Sequence, residues 1–337
     1  MKKRILFRAD GNKATGLGHL YRLFAVVEML KDHFDCMYLT RTSSTIKVIP
    51  EEYNLKLIDN NISIQEEPSW LAKQFKPEES IIIADGYQFD SSYQKLIKAL
   101  QFTLVYIDDL AKEHMHADLV INHSPAINIA DFRDSGYTNY ALGTKYALLR
   151  PSFLAAAKEE RIIERVEKAF VCFGGADKLN LSLKTVKALL QIGQIQEIHI
   201  VLGAAYKYKD IYELAEQHLS RVYLHFNLSE EELISLMRSC NFAVAPTSTI
   251  LYELCCVKMP ILGGYFVDNQ KLIYKGFKEK AAIFPAGDFT NWEITDFKKS
   301  INRILKRKSY DYNLNAQKEL FDSKINERFI TRIKELC

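Results

Sequence analysis

The sequence predicts an α/β protein with two parallel sheets, each covered by helices. The chain has 337 residues, of which 48% are hydrophobic, so it can bury more than one core. Short apolar runs alternate with amphipathic stretches, which is typical of strands separated by helices. A charged stretch from Lys158 to Lys168 interrupts this alternation, and the same pattern then starts again.

The first half of the chain predicts one doubly wound domain over residues 1–158. Five apolar runs have the length of buried strands: Ile5 to Phe7, Met37 to Thr40, Ile81 to Ala84, Thr103 to Ile107 and Leu119 to Ile121. Three stretches have helical spacing: Leu20 to Lys31, Trp70 to Phe75 and Ser91 to Leu100.

The second half predicts a similar domain over residues 159–315. Its strands are Ala169 to Phe173, Glu197 to Leu202, Val222 to His225, Phe242 to Ala245, Pro260 to Leu262 and Ala282 to Phe284. Its clearest helices are Leu181 to Leu190, Ser229 to Met237 and Leu251 to Val257. Ser229, followed three residues later by Glu232, is a candidate helix N-cap.

A final helix is predicted within residues 316–337, and we expect it to cross back onto the first domain. Two Rossmann-like domains whose sheets face a common cleft would form a GT-B-like architecture. Ligands in such sheets bind outside the carboxyl ends of the strands. The loops that follow the strands are therefore the places to look for function.

The composition excludes several classes of protein. The net charge is only +3, and the basic residues are dispersed apart from Lys306 to Lys308, which disfavours a nucleic-acid partner. The first apolar run stops at Phe7, too early for a signal peptide, and no run approaches the roughly 20 residues of a spanning helix. The six cysteines lack paired metal-ligand spacing. We expect a cytoplasmic monomer without bound cofactor, metal, membrane or nucleic acid.

The loop after the first strand is the strongest candidate for a ligand site. Gly16 and Gly18 allow close approach of the backbone, and His19 follows at the predicted start of a helix, a place suited to a phosphorylated ligand. A nicotinamide site is disfavoured because Tyr21 stands where the dinucleotide motif has its third glycine. A P-loop is excluded because no Gly-Lys-Ser/Thr triplet follows. The alternative is that His19 only caps or packs the turn.

Other strand ends of the first domain carry carboxylates. Asp85, with Tyr87 close behind it, and the pair Asp108-Asp109 both follow predicted strands, where they could contact substrate hydroxyls or orient His19. The aspartate pair could also bind a metal, but no further ligand pattern surrounds it. We therefore expect these residues to serve a substrate.

Two glycines of the second domain could cradle a diphosphate. Gly174 and Gly175 precede the helix that starts near Leu181, so their N–H groups and the helix N-terminus favour an anion. A glycine turn capped by Asp177 or Asn180 explains the same residues equally well.

Polar residues near the next helix of the second domain could complete a nucleotide site. Thr247, Ser248 and Thr249 could hold phosphate oxygens or merely cap the helix. Glu253 lies one turn inside an otherwise apolar helix and could accept from both hydroxyls of a ribose. The following loop adds three side chains suited to a nucleotide or a sugar, or to a surface turn: Asp268, Asn269 and Gln270.

Several motifs, spread along most of the chain, follow one another in the order that one known family has. They are Phe7 to Asp10 with Gly16 to His19 and Arg22, Ile107 to Asp109, Tyr146 to Arg150, Phe173 to Asp177 with Asn180-Leu181, and Asn269-Gln270. Together they resemble the UDP-2,4-diacetamido-2,4,6-trideoxy-β-L-altropyranose hydrolases of pseudaminic acid biosynthesis. Two places depart from that family. Gly86 stands where the family often has a histidine, and Pro246 to Ser248 where it often has a glycine-rich turn.

The resemblance implies a GT-B-like enzyme that hydrolyses a UDP-sugar with inversion at the anomeric carbon, without a metal or cofactor. His19 corresponds to the catalytic histidine and would act as the base towards water. On the residue chemistry above together with the resemblance, we expect the sugar side of the site to consist of Asp10, Gly16, Gly18, Arg22, Asp85, Tyr87 and Asp109. We expect the UDP-binding residues to be Gly174, Gly175, Thr247, Ser248, Thr249, Glu253, Asn269 and Gln270. Two alternatives stay open: a UDP-sugar glycosyltransferase of GT-B type, and a sugar-nucleotide-binding protein without catalysis.

Overall fold

The computed structural model describes residues 3–12, 16–322 and 324–337. They form two compact units, one from the described residues of Met1–Pro151 and Lys324–Cys337, the other from those of Ser152–Ser323. Each unit is built on a parallel sheet with helices between its strands. The predicted fold class, α/β with two Rossmann-like domains, is confirmed.

The described residues of the first unit form nine strands: β1 (Arg4–Ala9), β2 (Asp35–Arg41), β3 (Leu55–Ile58), β4 (Ser80–Asp85), β5 (Thr103–Ile107), β6 (His114–Met115), β7 (Leu119–Asn122), β8 (Arg133–Asp134) and β9 (Asn139–Leu142). Its first three helices are α1 (Gly18–Leu30), α2 (Glu67–Gln74) and α3 (Ser91–Ala99). Seven strands form a parallel sheet in the order β3-β2-β1-β4-β5-β7-β9, and β6 pairs with β8.

The centre of this sheet is fully buried. Ile5 to Phe7 in β1 and Ile81 to Ile83 in β4 have no exposed surface. Helices cover both faces of a parallel sheet, so its central strands are nearly continuous apolar runs, which is why the sequence reveals them. The chain leaves β1 in one direction to β2 and returns on the other side as β4. Ligand crevices form at such switch points, outside the carboxyl ends of the two strands.

The second unit repeats this topology. Its strands are β10 (Lys168–Val171), β11 (Glu197–Leu202), β12 (Val222–Phe226), β13 (Phe242–Pro246), β14 (Ile261–Tyr265) and β15 (Phe284–Asp288). The helices along this part of the chain are α4 (Pro151–Ala156), α5 (Leu181–Leu190), α6 (Asp210–Gln217), α7 (Glu230–Ser239), α8 (Thr249–Val257), α9 (Lys271–Glu279), α10 (Ile294–Leu305) and α11 (Asp311–Leu320). The strand order β12-β11-β10-β13-β14-β15 puts the switch point between β10 and β13.

The helix N-cap predicted at Ser229 is present in the structure. The Ser229 side chain accepts from the Glu232 N–H, and the Glu232 carboxylate accepts from the Ser229 N–H, which closes a capping box at the start of α7.

The end of the chain differs from the single helix predicted within 316–337. Phe321 is extended and buried, and its ring packs against Tyr252 and Phe277, so α11 ends there. A separate helix, α12 (Ile325–Lys334), follows and packs against α1 in the first unit, where the ring of Phe329 contacts Tyr146. A buried aromatic side chain thus divides the predicted helix in two.

Some element and unit limits also differ from the sequence prediction. The units divide after Pro151 rather than after residue 158, because Ser152 N–H donates to Glu230 and the buried Lys258 ammonium donates to the carbonyls of Ala156 and Ala157. The strand predicted over Ala282 to Phe284 is shifted towards the C-terminus in the structure, where β15 begins at Phe284. The short edge strands β3 and β9 lie among half-exposed residues and give a weaker apolar signal.

Candidate functional site

The carboxyl end of the first sheet carries a cluster of charged side chains at the switch point. α1 begins directly after the loop that follows β1, so His19 lies in the first turn of this helix. Gly16, with a φ of +89° that favours glycine, exchanges backbone hydrogen bonds of 2.8 and 3.1 Å with Asn12 across the loop. The intervening residues 13–15 lie outside the described part of the chain. The loop thus places a histidine at the carboxyl edge of the sheet, beside the paired strand ends of β1 and β4.

His19 is paired with a buried carboxylate. Its Nδ1 lies 2.7 Å from Oδ1 of Asp85, the last residue of β4, whose side chain has no exposed surface. Burial by itself would raise the pKa of Asp85, but the charge of Arg22 and then the contact with His19 lower it to about 2. Arg22 Nη2 also lies 3.1 Å from Nδ1, but the shorter contact with the ionised carboxylate favours a proton on Nδ1. The lone pair of the neutral ring then lies on Nε2. This tautomer is the one that can accept a proton at Nε2.

Arg22 binds two carboxylates at once. It lies one helical turn after His19 on the same face of α1. Its Nε donates to Asp85 Oδ2 at 2.8 Å and its Nη2 to Oδ1 at 2.5 Å, while Nη1 donates to Asp109. The charge of Arg22 lowers the pKa of Asp109 against the opposing effect of burial. One guanidinium therefore keeps two buried carboxylates ionised at the ends of β4 and β5.

Tyr87 closes the cluster on its solvent side. Its hydroxyl donates to Asp109 Oδ2 at 3.2 Å, and its ring stands edge-on to His19, with centroids 5.0 Å apart and planes at 88°. Almost half of Tyr87 is exposed. A ligand that reaches His19 would meet this side chain first.

The two adjacent aspartates after β5 have different roles in the structure. Asp108 accepts from the Ala111 N–H at 2.9 Å and from Asn122 Nδ2 at 2.8 Å, and burial raises its pKa. Only Asp109 joins the cluster around Arg22. Within the described ranges, no group of three or more His, Cys, Asp and Glu side chains is arranged to hold a metal ion.

Asp10 belongs to a second ionic network that the sequence analysis missed. Both of its oxygens accept from Arg8, at 2.6 and 2.8 Å, and Arg8 also donates to both oxygens of Glu67, at 2.7 and 2.9 Å. The side chains of Arg8 and Glu67 have no exposed surface. An arginine inside an otherwise apolar strand was the available signal for Arg8. Glu67 gave none, because it follows Glu66 in a stretch that reads as surface.

The corresponding edge of the second sheet is built mainly from backbone. Gly174 has a φ of +80°, and Gly175 approaches the loop after β11 so closely that a Cβ on Gly203 would lie 2.3 Å from its Cα. The Asp177 carboxylate accepts from the N–H groups of Leu181 and Ser182, at 2.9 and 2.8 Å. The capping that the sequence analysis left as an alternative therefore exists at α5.

The loop between β13 and α8 divides its polar residues between two environments. Thr247 is fully buried and donates to the Gln270 carbonyl at 3.0 Å. Gln270 is also buried, and its Oε1 accepts from the Phe266 N–H at 3.0 Å. These two predicted ligand residues thus support the loop.

The remaining predicted residues of this edge are more accessible or lie deeper in α8. Ser248 stands at the N-cap of α8, and its hydroxyl makes no capping hydrogen bond within the described chain. Thr249 and Asn269 are also half-buried. Glu253, 5% exposed, places a carboxyl group at the middle of α8, among mainly apolar residues. Hydroxyls and backbone N–H groups at a helix start are suited to an anion.

Comparison with known proteins finds sequence relatives of this chain at 22–27% identity. No model of a protein family matches the chain. The chain is 27% identical over 277 residues to the UDP-2,4-diacetamido-2,4,6-trideoxy-β-L-altropyranose hydrolase of Campylobacter jejuni, covering 80% of this chain and 93% of the hydrolase. It is 22% identical over 285 residues to the spore coat polysaccharide biosynthesis protein SpsG of Bacillus subtilis, covering 83% and 82% of the two chains. An uncharacterized protein of Methanocaldococcus jannaschii is 24% identical, covering 97% of this chain and 70% of its own.

Solved structures establish the fold more firmly than the sequence relatives do. MurG of Acinetobacter baumannii matches with a TM-score of 0.66 at 11% identity, covering 99% of both chains. HepE of Anabaena, in complex with UDP-glucose, matches with a TM-score of 0.62 at 16% identity, covering 99% of this chain and 100% of its own. At these identities the likeness shows the GT-B-like fold class. Among the described residues, no helix has the length and apolarity needed to cross a bilayer.

Proposed function

We propose that this protein is an enzyme that processes sugar nucleotides, and specifically that it hydrolyses UDP-2,4-diacetamido-2,4,6-trideoxy-β-L-altropyranose to UDP and the free sugar. The observation that carries the proposal is the pairing of His19 with the buried Asp85 carboxylate at the switch point of the first sheet. The similarity to the Campylobacter jejuni hydrolase supports the choice of substrate.

In this proposal His19 is the general base. Its Nε2 takes a proton from a water molecule as the water oxygen bonds to the anomeric carbon, and the bond from that carbon to the diphosphate oxygen breaks. The products are UDP, the sugar with inverted anomeric configuration and one proton. Asp85 holds the tautomer and stabilises the imidazolium that forms, and a base so placed contributes about 10²- to 10⁴-fold to the rate.

The sugar would be held by the side chains around His19. Tyr87 and Asp109 offer a hydroxyl and a carboxylate for sugar hydroxyl or amide groups, and Arg22 fixes the position of Asp109. The glycine loop with Gly16 and Gly18 would border the same pocket. Asp10 remains a predicted sugar ligand in this proposal, although Arg8 occupies both of its oxygens.

The leaving group would be stabilised by the second unit. Backbone N–H groups at Gly174 and Gly175, with the hydroxyls of Ser248 and Thr249, would bind the diphosphate as its charge develops, and no metal would be required. Glu253 would accept from the ribose hydroxyls. The polar turn after β14 would complete the site through Asn269 and Gln270. Thr247 would support this turn, because its hydroxyl donates to the Gln270 carbonyl.

The experiment is incubation with this UDP-sugar in ¹⁸O-water without any acceptor. We expect ¹⁸O in the sugar and unlabelled UDP, because the carbon–oxygen bond breaks, with the inverted anomer appearing first by NMR. His19→Gln and Asp85→Asn should each lower kcat by about 10²- to 10⁴-fold and leave the Kd for UDP unchanged. Glu253→Gln should weaken UDP binding. His114→Gln, in the separate β6–β8 sheet, is the matched histidine control.

The outcomes separate the alternatives. UDP release only when an acceptor is added would favour a UDP-sugar glycosyltransferase, the reading suggested by the fold shared with MurG. Binding of the UDP-sugar without any turnover would favour a binding protein. Full activity of His19→Gln would overturn the assigned base.

A further inference from the structure

An ionic network with a buried centre lies beside the proposed catalytic pair, and the proposed mechanism uses none of its residues except Asp10. Its centre is Arg8, whose guanidinium bonds to Asp10 on one side and Glu67 on the other and stacks 5.0 Å above the ring of Phe89. Glu67 also accepts from Arg41 at 2.7 Å and from the hydroxyl of Tyr93 at 3.0 Å. The network therefore joins β1, the end of β2 and the helices α2 and α3.

Two cations and two carboxylates balance in this network, so it carries no net charge. Such a buried network is weak evidence for stability, because well-packed apolar side chains are often at least as stable in its place. The network is more informative about which groups it holds in place. Arg8, Asp10, Glu67 and Arg41 all lie at or next to the carboxyl end of the sheet, at the edge where the candidate site is found.

Asp10 is the point where this network meets the catalytic loops. It is the first residue after β1 and so begins the loop that leads into α1, where His19 lies in the first turn. Besides Arg8, it accepts from the Arg41 N–H at 2.8 Å and from Thr40 at 3.1 Å, both at the end of β2. The side chain of Gln88 donates to Asp10 Oδ2 at 3.2 Å, and Gln88 belongs to the loop after β4.

Gln88 is held against the backbone that follows Asp85. Gly86 has a φ of +155°, and a Cβ there would lie 2.5 Å from Oε1 of Gln88, so the amide occupies the space above the glycine. One short chain of contacts thus runs from the start of the His19 loop, through Asp10 and Gln88, to the residue next to Asp85.

We propose that Asp10 and Gln88 are positioning residues that set the placement of the His19 loop relative to Asp85, with Arg8 and Glu67 fixing Asp10. The inference deepens the proposed function, since it assigns Asp10 to the alignment of the base rather than to the sugar. A displacement of about 1 Å can cost about 10²-fold in rate, so a link of this kind has measurable consequences.

The test begins with Gln88→Leu, which breaks the link and leaves all four charges of the network in place. We expect kcat to fall about 10- to 100-fold with KM within about twofold. Gln74→Leu is the control and should match the wild type, because the exposed side chain of Gln74 accepts from Lys56 Nζ at the surface. Loss of affinity with unchanged kcat would show that this group binds the sugar, and would overturn the inference.

Gln88→Glu gives a signature that simple loss of structure would not produce. Above the pKa of the new carboxyl group, two carboxylates would face each other at Asp10 and the loops would separate. On acidification the protonated group would again donate to Asp10. Its activity relative to wild type should therefore rise from pH 8 to pH 5, and a constant ratio would contradict the inference.

A readout without substrate keeps this inference separate from the proposed reaction. In ¹⁵N-histidine NMR, with the His19 signal assigned from the His19→Gln spectrum, the wild type should show the Nδ1–H tautomer, and Gln88→Leu should lose part of it. That result would support the positioning role even if the wild type turned over no UDP-sugar, which would count against the proposed function alone. An unchanged tautomer together with unchanged kcat would overturn the inference.

Discussion

The two units have different chemical groups at the same topological position, the switch point of the parallel sheet. At the switch point of the first sheet, polar and charged side chains meet across long stretches of chain: His19 and Asp85 are 66 residues apart, and Arg22 and Asp109 are 87 apart. At the switch point of the second sheet, Asp177 contacts residues only four and five positions later. The first edge is made from distant charges and the second from local turns and backbone groups.

This difference matches the two chemical tasks of the proposed function. A base needs one proton position defined, and buried charges at fixed distances define it, because their interactions are strong where water is excluded. A diphosphate needs several donors around a spread negative charge, and backbone N–H groups at glycine turns and helix starts provide them without side-chain charges. The fold supplies both edges, and the residues on them differ by task.

Removal of Arg22 tests the first edge most severely. Arg22→Met would leave Asp85 and Asp109 buried without their shared cation, and we expect a loss of about 3–5 kcal/mol in the free energy of unfolding. Arg22→Lys should lose less, because it restores the charge without the two-pronged geometry. Urea unfolding of the three proteins at pH 7 measures both effects.

The pH dependence of that loss has a definite sign. In the wild type the pKa of Asp85 is lowered to about 2, so its contribution to stability is present above the unfolded pKa of 3.8 and is lost as the pH falls towards 2. In Arg22→Met burial would instead raise that pKa, and protonation would relieve the variant. The difference in stability between the two proteins should therefore shrink from pH 7 to pH 4. A difference that stays constant would show that the charges are screened.

The same contrast explains what the sequence could predict. Apolar alternation reveals the central strands because β1 and β4 are buried on both faces, and the glycine loops reveal the strand ends because their chemistry is local. The pairing of Arg8 with Glu67 depends on a separation of 59 residues, which no local pattern contains. Asp10 illustrates the limit: its place at a strand end was readable, but its partners were not.

Tertiary packing also decides details in the second unit that composition cannot. Phe321 ends α11 because its ring packs in a pocket with Tyr252 and Phe277, whereas the sequence there reads as an uninterrupted helix. Thr247 reads as a ligand hydroxyl, yet it is fully buried and bonded to the Gln270 carbonyl. In both cases the sequence identifies an apolar or a polar side chain, but only the tertiary packing decides what that side chain contacts.

A glycine pair tests the backbone construction of the second edge. A Cβ on Gly203 would lie 2.3 Å from the Cα of Gly175, so Gly203→Ala must displace backbone and should cost about 1–3 kcal/mol. Gly193→Ala meets nothing within 4 Å and should be neutral or slightly stabilising. Urea unfolding compares the two variants directly. Equal stabilities would mean that the two loops separate freely, and the close approach at Gly175 would lose its structural role.

The smallest expected effect belongs to the cap of α5. Asp177→Ala removes the acceptor of two N–H groups and should cost about 1 kcal/mol, while Asp177→Asn keeps an acceptor and should cost less. Burial raises the pKa of Asp177, so its contribution is fully present below pH 3.8 and declines as the pH rises through the folded value. The loss in Asp177→Ala should therefore be larger at pH 4 than at pH 7, the opposite of the trend for Arg22→Met. If both losses changed with pH in the same direction, the distinction between a carboxylate held by a cation and one held by backbone would fail.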